Sequence, residues 1–120
     1  MLAIRNGAES ALRIGNVETV RDFLHVRDVT AAYLALVEKG AAGEVYNVCS
    51  GTGWRVRDLA ELVLAAAHVS APIVSEPALV RRVEVPWLVG DPAKVRTATG
   101  WTPALSCNDI IDDLIHAASL

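Results

Sequence analysis

The sequence predicts an α/β fold in which short strands alternate with helices, and three observations predict it. Along the 120 residues, extended β-branched stretches give way repeatedly to stretches with apolar residues at helical spacing. Turn-forming pairs such as Gly15-Asn16, Gly51-Thr-Gly53 and Asp91-Pro92 punctuate the switches. The strand-like and helix-like runs also follow one another in turn, which is the pattern of layered α/β architecture.

Taken in order, Met1 to Asn6 reads as the last turns of a helix stopped by Gly7. Ala11 to Ile14 is a short strand ended by Gly15-Asn16, and Val20 to Leu24 is a second extended stretch. From Val26 the period becomes helical, with Val26, Val29, Tyr33, Leu36 and Val37 on one face. Asp28 in its first turn and Lys39 in its last complement the helix dipole, and Gly40 and Gly43 end it. Glu44 to Cys49 has strand character and closes into the loop Ser50 to Gly53. Leu59, Leu62, Val63, Ala66 and Val69 form the next amphipathic stripe, on a helix that starts at Val56 without a Ser or Thr cap. Ile73 and Val74 lie in a short strand. Val83 to Val89 is extended but broken by Pro86, which suits an edge or a bend. Asp91-Pro92 starts a short helix that Gly100 stops, and Ser106 caps a last helix with the stripe Ile110, Ile111, Leu114, Ile115 and Ala118. The whole of residues 1–120 reads as one domain.

Composition excludes several function classes. With 52% hydrophobic and 21% charged residues, the chain is neither low-complexity nor disordered in character. The net charge of −3 gives no basic footprint for nucleic acid. The longest apolar run, Leu62 to Ala67, is far short of a membrane span, and no signal-peptide core follows Met1, so a cytoplasmic protein is expected. Cys49 and Cys107 have no CxxC or histidine partner nearby and read as free thiols, with no metal site.

Residues that could carry chemistry are few. Gly51-Thr-Gly53 lacks the third glycine of a dinucleotide loop, and no Walker motif, GxSxG elbow or HExxH occurs. His25, just before a helix, could cap it or meet a phosphate. Asp109, Asp112 and Asp113 could be a carboxylate cluster or the solvated first turns of a helix. Arginines stand out more. The positive charge comes from nine Arg and only two Lys, and Arg21-Asp22-Phe23 and Arg81-Arg82 both sit in extended segments. Guanidinium forks match phosphate oxygens, although ordinary surface ion pairs would use the same residues.

The order of these pieces resembles the extended short-chain dehydrogenase/reductases of the NAD-dependent epimerase/dehydratase family, in particular the GDP-6-deoxy-4-keto-mannose reductases and GDP-mannose 4,6-dehydratases. The resemblance is carried by the run from Leu12 to Val29, with its Gly-Asn, Arg-Asp-Phe and Val-Arg-Asp-Val signatures, and by Gly43 to Gly51, Arg81 to Pro86, Gly90 to Lys94 and Thr99 to Pro103. It implies the C-terminal, substrate-binding part of a Rossmann-type fold. The family's cofactor half, with its Gly-rich loop and Tyr-x-x-x-Lys pair, has no counterpart here: Val37 follows Tyr33 and Ser50 follows Tyr46 at that spacing.

By the same resemblance, Arg21 and Arg81 would grip a nucleotide diphosphate, most naturally that of a GDP-linked sugar. Glu84 would contact the ribose or hold an arginine. Arg82 stands where the family more often has Pro, which leaves open which of Arg81 and Arg82 faces the phosphates. Asp22 would orient Arg21 and Asp28 would start the helix. The intact family uses NAD(P); this chain alone is expected to bind no cofactor and to have no catalytic residue. The parent reaction would be reduction of a 4-keto sugar, with dehydratase fragment, non-catalytic binding or oligomerisation module and vestigial remnant as alternatives. In the family the Val26 to Cys49 segment packs on the Rossmann sheet. An unpaired Val45 to Val48 edge and an uncovered helix face would follow here, and with them a homo-oligomer.

Overall fold

Strand pairing sets the frame in the computed structural model of the chain, which describes residues 9–82 and 84–118. β1 (Leu12–Ile14) pairs in parallel with β4 (Ile73–Ser75). A second sheet has β2 (Val20–Asp22) at its centre, antiparallel to β3 (Gly53–Arg55) and parallel to β5 (Trp87–Leu88). Arg21 stands opposite Trp54 on one side and Leu88 on the other. Four helices complete the described fold: α1 (Val26–Lys39), α2 (Val56–Ala66), α3 (Ala93–Thr99) and α4 (Cys107–Ala118), with a 3-10 turn at Pro77–Leu79. The mixed α/β alternation is therefore as the sequence predicts. The expected helix at Met1 to Asn6 lies outside the described residues.

Buried Ala32, Val95 and Trp101 form the apolar centre, with Leu24, Leu36, Tyr46 and Val48 against it. The layer is thin. The chain measures 51 × 35 × 17 Å, and its radius of gyration is 17.1 Å, where a compact chain of this length has about 14 Å.

Four local expectations change. The Glu44 to Cys49 run, read as a strand, pairs with no neighbour, although Tyr46 and Val48 turn inward and Val45 and Asn47 outward with strand-like alternation. It keeps its pleated sense but has no ladder partner in the described chain. Lys94 holds it from the side, donating to the Val45 carbonyl and the Glu44 carboxylate, both at 2.7 Å. The stripe expected to bury α1 is largely on the surface: Tyr33 is 61% and Val37 87% exposed, while Asp28 and Ala32 are buried. Asp28 faces inward because its carboxylate accepts the N–H groups of Ala104 (3.1 Å) and Leu105 (3.0 Å), which anchors the loop before α4. Leu114 of the α4 stripe is likewise 60% exposed. Finally, Gly53, read as the end of a loop, opens the strand Gly53–Arg55, since β2 offers it a ladder and the chain turns there directly into α2.

Helix ends follow the sequence more closely. His25 caps α1, its Nδ1 accepting the Arg27 N–H at 3.1 Å, while Nε2 meets Asp113 at 3.2 Å. Arg55 precedes α2 without any side-chain cap. Pro92 occupies the capping position of α3, one residue later than expected, and the Asp91 carboxylate accepts from Ala93 at 2.8 Å. Ser106 and Asp109 bond reciprocally at the start of α4. These bonds draw the Asp109 carboxyl below its ordinary value, while Asp113 pairs with His25 and Arg27.

Candidate functional site

The carboxylate of Asp22, at the end of the central strand, collects four hydrogen bonds. The Ser50 N–H donates at 2.9 Å, the Ser50 hydroxyl at 2.5 Å, the Gly51 N–H at 2.9 Å and the Gly90 N–H at 3.3 Å. Burial pushes this carboxyl up, but the donors outweigh it and its pKa falls below the ordinary 3.8. One ionised side chain thus ties two loops, 49–51 and 89–91, to the end of β2. The fit is tight at Gly90: a Cβ there would stand 2.5 Å from Cys49 Sγ and 2.8 Å from Cys49 Cβ. Only glycine lets the two loops close on each other. Burial, with the charges of Asp22 and Asp91 beside it, pushes the Cys49 thiol up, and its side chain packs against Gly90.

This junction floors a cleft of about 580 Å³, lined by Arg21, Asp22, Tyr46, Cys49, Leu88 and Gly90 among others. Arg21 stands half-buried in its wall, donating to the carbonyl of Val20 at 2.7 Å. That single neutral bond leaves most of its fork unused. Asp22 does not orient Arg21, contrary to expectation, because its oxygens are occupied by the loops.

The other proposed arm lies apart. Arg81 and Arg82 are exposed, make no hydrogen bond or ion pair among the described residues, and are not among the described residues lining the cleft. Glu84 holds neither of them; its Oε2 accepts the Asn16 amide at 2.7 Å. Asn16 could have been read only as a turn residue, since a partner 68 positions away leaves no trace in local sequence. Gly51 and Gly90, the backbone donors to Asp22, were equally hidden as functional contacts.

A dinucleotide needs a strand leading into a glycine-rich turn and a helix N-terminus. The β2–α1 turn, Phe23 to His25, contains no glycine, and β3 runs straight into α2 behind Arg55. Between β5 and α3 the single glycine, Gly90, has its N–H committed to Asp22. The described residues therefore do not fit NAD(P). Among the described residues, no group of three or more His, Cys, Asp or Glu could hold a metal ion and no helix is long and apolar enough to cross a membrane.

The mixed α/β arrangement matches part of the Rossmann-type extended short-chain dehydrogenase/reductase fold in solved structures. The chain superposes on RMD from Pseudomonas aeruginosa complexed with NADPH with a TM-score of 0.86 and 36% identity, over 95% of this chain and 38% of that one. It matches the UDP-glucose 4-epimerase of Thermotoga maritima, solved with UDP-glucose, with a TM-score of 0.85 and 27% identity, over 98% and 37%. The family model of GDP-mannose 4,6 dehydratase matches residues 1–114, so the chain belongs to that family. Among curated proteins, the GDP-6-deoxy-D-mannose reductase of Pseudomonas aeruginosa is 44% identical over 79% of this chain, and the GDP-mannose 4,6-dehydratase of Vibrio cholerae is 24% identical over 93%. The chain spans 31% of the reductase's length and 38% of the dehydratase's.

Proposed function

We propose that this chain is the nucleotide-sugar-binding part of an NAD(P)-dependent reductase of GDP-4-keto-6-deoxy-mannose type, and that it does not catalyse alone. The observation that carries the reading is Arg21, held on the central strand at a cleft whose floor Asp22 fixes, with its guanidinium largely unspent. A diphosphate needs neutralising from more than one side, and Arg81 or Arg82, unpaired by any carboxylate among the described residues, is the second source of charge. Reductase is preferred to dehydratase because identity to the former is higher, 44% against 24%. Hydride transfer would belong to a cofactor half carrying a Gly-rich loop and a Tyr-x-x-x-Lys pair.

The test is calorimetric titration of the chain with GDP-mannose, against UDP-glucose, in wild type, Arg21→Ala and Arg81→Ala. Each substitution removes charge-assisted bonds worth about 1.5–3 kcal/mol and should weaken binding by about tenfold or more. GDP-selective heat lost in both variants supports the reading. Absence of heat from folded wild-type protein at millimolar ligand overturns it for this chain.

The outward face of α1, with Val26, Tyr33 and Val37, together with Val45, supports a second element of the reading, self-association. A monodisperse monomer in light scattering would remove it.

A further inference from the structure

The loop that carries Arg81 and Arg82 is pinned at both ends to the Gly15-Asn16 turn. A Cβ on Gly15 would stand 2.6 Å from the carbonyl oxygen of Leu79, so the two backbones are already in contact at the near end. At the far end Glu84 meets the Asn16 amide, and Pro86 accepts the N–H of Val20 at 2.9 Å. Asn16 is itself fixed. Its Oδ1 accepts the Glu18 N–H at 3.0 Å, which decides the amide's orientation and leaves Nδ2 as the donor to Glu84.

Glu84 is two residues from Arg82 and three from Arg81, the nearest carboxylate to either along the chain. It is instead held by a neutral amide, and both arginines stay free of carboxylates among the described residues. We propose that Asn16 is a positioning residue that holds the Glu84 carboxylate and so keeps the Arg81-Arg82 pair free of it and available for the phosphates of a nucleotide. The proposal deepens the nucleotide-sugar reading and rests on it for the identity of the anion.

Its test separates the two. In the full chain, reaction of Arg81 and Arg82 with phenylglyoxal, followed by lost tryptic cleavage in mass spectra, reports free guanidinium without any nucleotide. Asn16→Ala should slow the reaction by about two- to fivefold, the scale of one exposed ion pair. Glu84→Gln should leave it unchanged, and the double variant should return to the wild-type rate, since the released side chain is no longer charged. A merely structural Asn16 would give no such rescue. An unchanged rate in Asn16→Ala, or a double variant as slow as the single one, overturns the proposal, with circular dichroism showing that each variant is folded. Titrating the wild type and Asn16→Ala with GDP-mannose then bears on the ligand: affinity should fall in the variant. No heat from the wild type would refute the nucleotide-sugar reading, while the modification rates still decide the role of Asn16.

Discussion

Arg21 and the Arg81-Arg82 pair are the same chemistry in two settings. Arg21 lies on the central strand, flanked by two ladders, and the loops beside it are drawn together by one carboxylate. Arg81 and Arg82 stand in solvent on a loop fastened through one glycine contact, one amide and one main-chain bond. The first arm is built by backbone geometry, the second by keeping a neighbour's charge away. Damage to the first should therefore appear in stability, and damage to the second in anion binding with stability nearly intact.

The largest effect belongs to Asp22→Ala. It orphans the N–H groups of Ser50, Gly51 and Gly90 and should cost about 2–4 kcal/mol in denaturant unfolding. The same carboxylate sets an acid limit. Its folded pKa lies below the ordinary 3.8, so its stabilisation is complete above that value and is lost as the pH falls through the folded one. Asp22→Asn should flatten this acid limb of the stability curve relative to wild type; an unchanged limb would mean that other carboxylates carry it.

Gly90→Ala comes next, at about 1–3 kcal/mol, because its methyl meets the Cys49 side chain. Adding Cys49→Ala should restore part of the loss, since Sγ is removed but Cβ remains. Independent, additive costs in that cycle would show that the loops do not press on each other there. On the opposite arm, Glu84→Gln should shift the melting temperature little, since glutamine can still accept from Asn16. A large drop would erase the distinction between the arms. A modest gain is expected at α2: Arg55→Ser supplies its missing cap and should add up to about 1 kcal/mol, reduced by loss of the loose ion pairs of Arg55 to Glu18 (3.8 Å) and Asp58 (3.9 Å).

The legible parts of the molecule are those written in local sequence. Helix positions came from apolar period, and their ends from His25, Gly100 and Ser106. Arg21 was legible through its motif. What escaped was set by partners distant in the chain. The Glu44 to Cys49 run has every strand propensity, but a strand exists only beside another. Asp28 looked like a dipole complement because its acceptors' partners, Ala104 and Leu105, are backbone groups that any residue supplies. The Asp22 junction is hidden for the same reason, and the sequence offers Glu84 the ribose or an arginine because the distant Asn16 cannot be seen in it.

The unladdered run beside α3 has a consequence for how the protein would look in deuterated solvent. From Val45 to Val48 no main-chain N–H makes a hydrogen bond among the described residues, while Tyr46 and Val48 are seated on the apolar centre and Lys94 clamps the outer side. Amides there should exchange at close to the rate of an unstructured peptide, yet their side chains should give the narrow, dispersed signals of a fixed environment. Slow exchange confined to these four amides would reveal a strand partner acquired in solution.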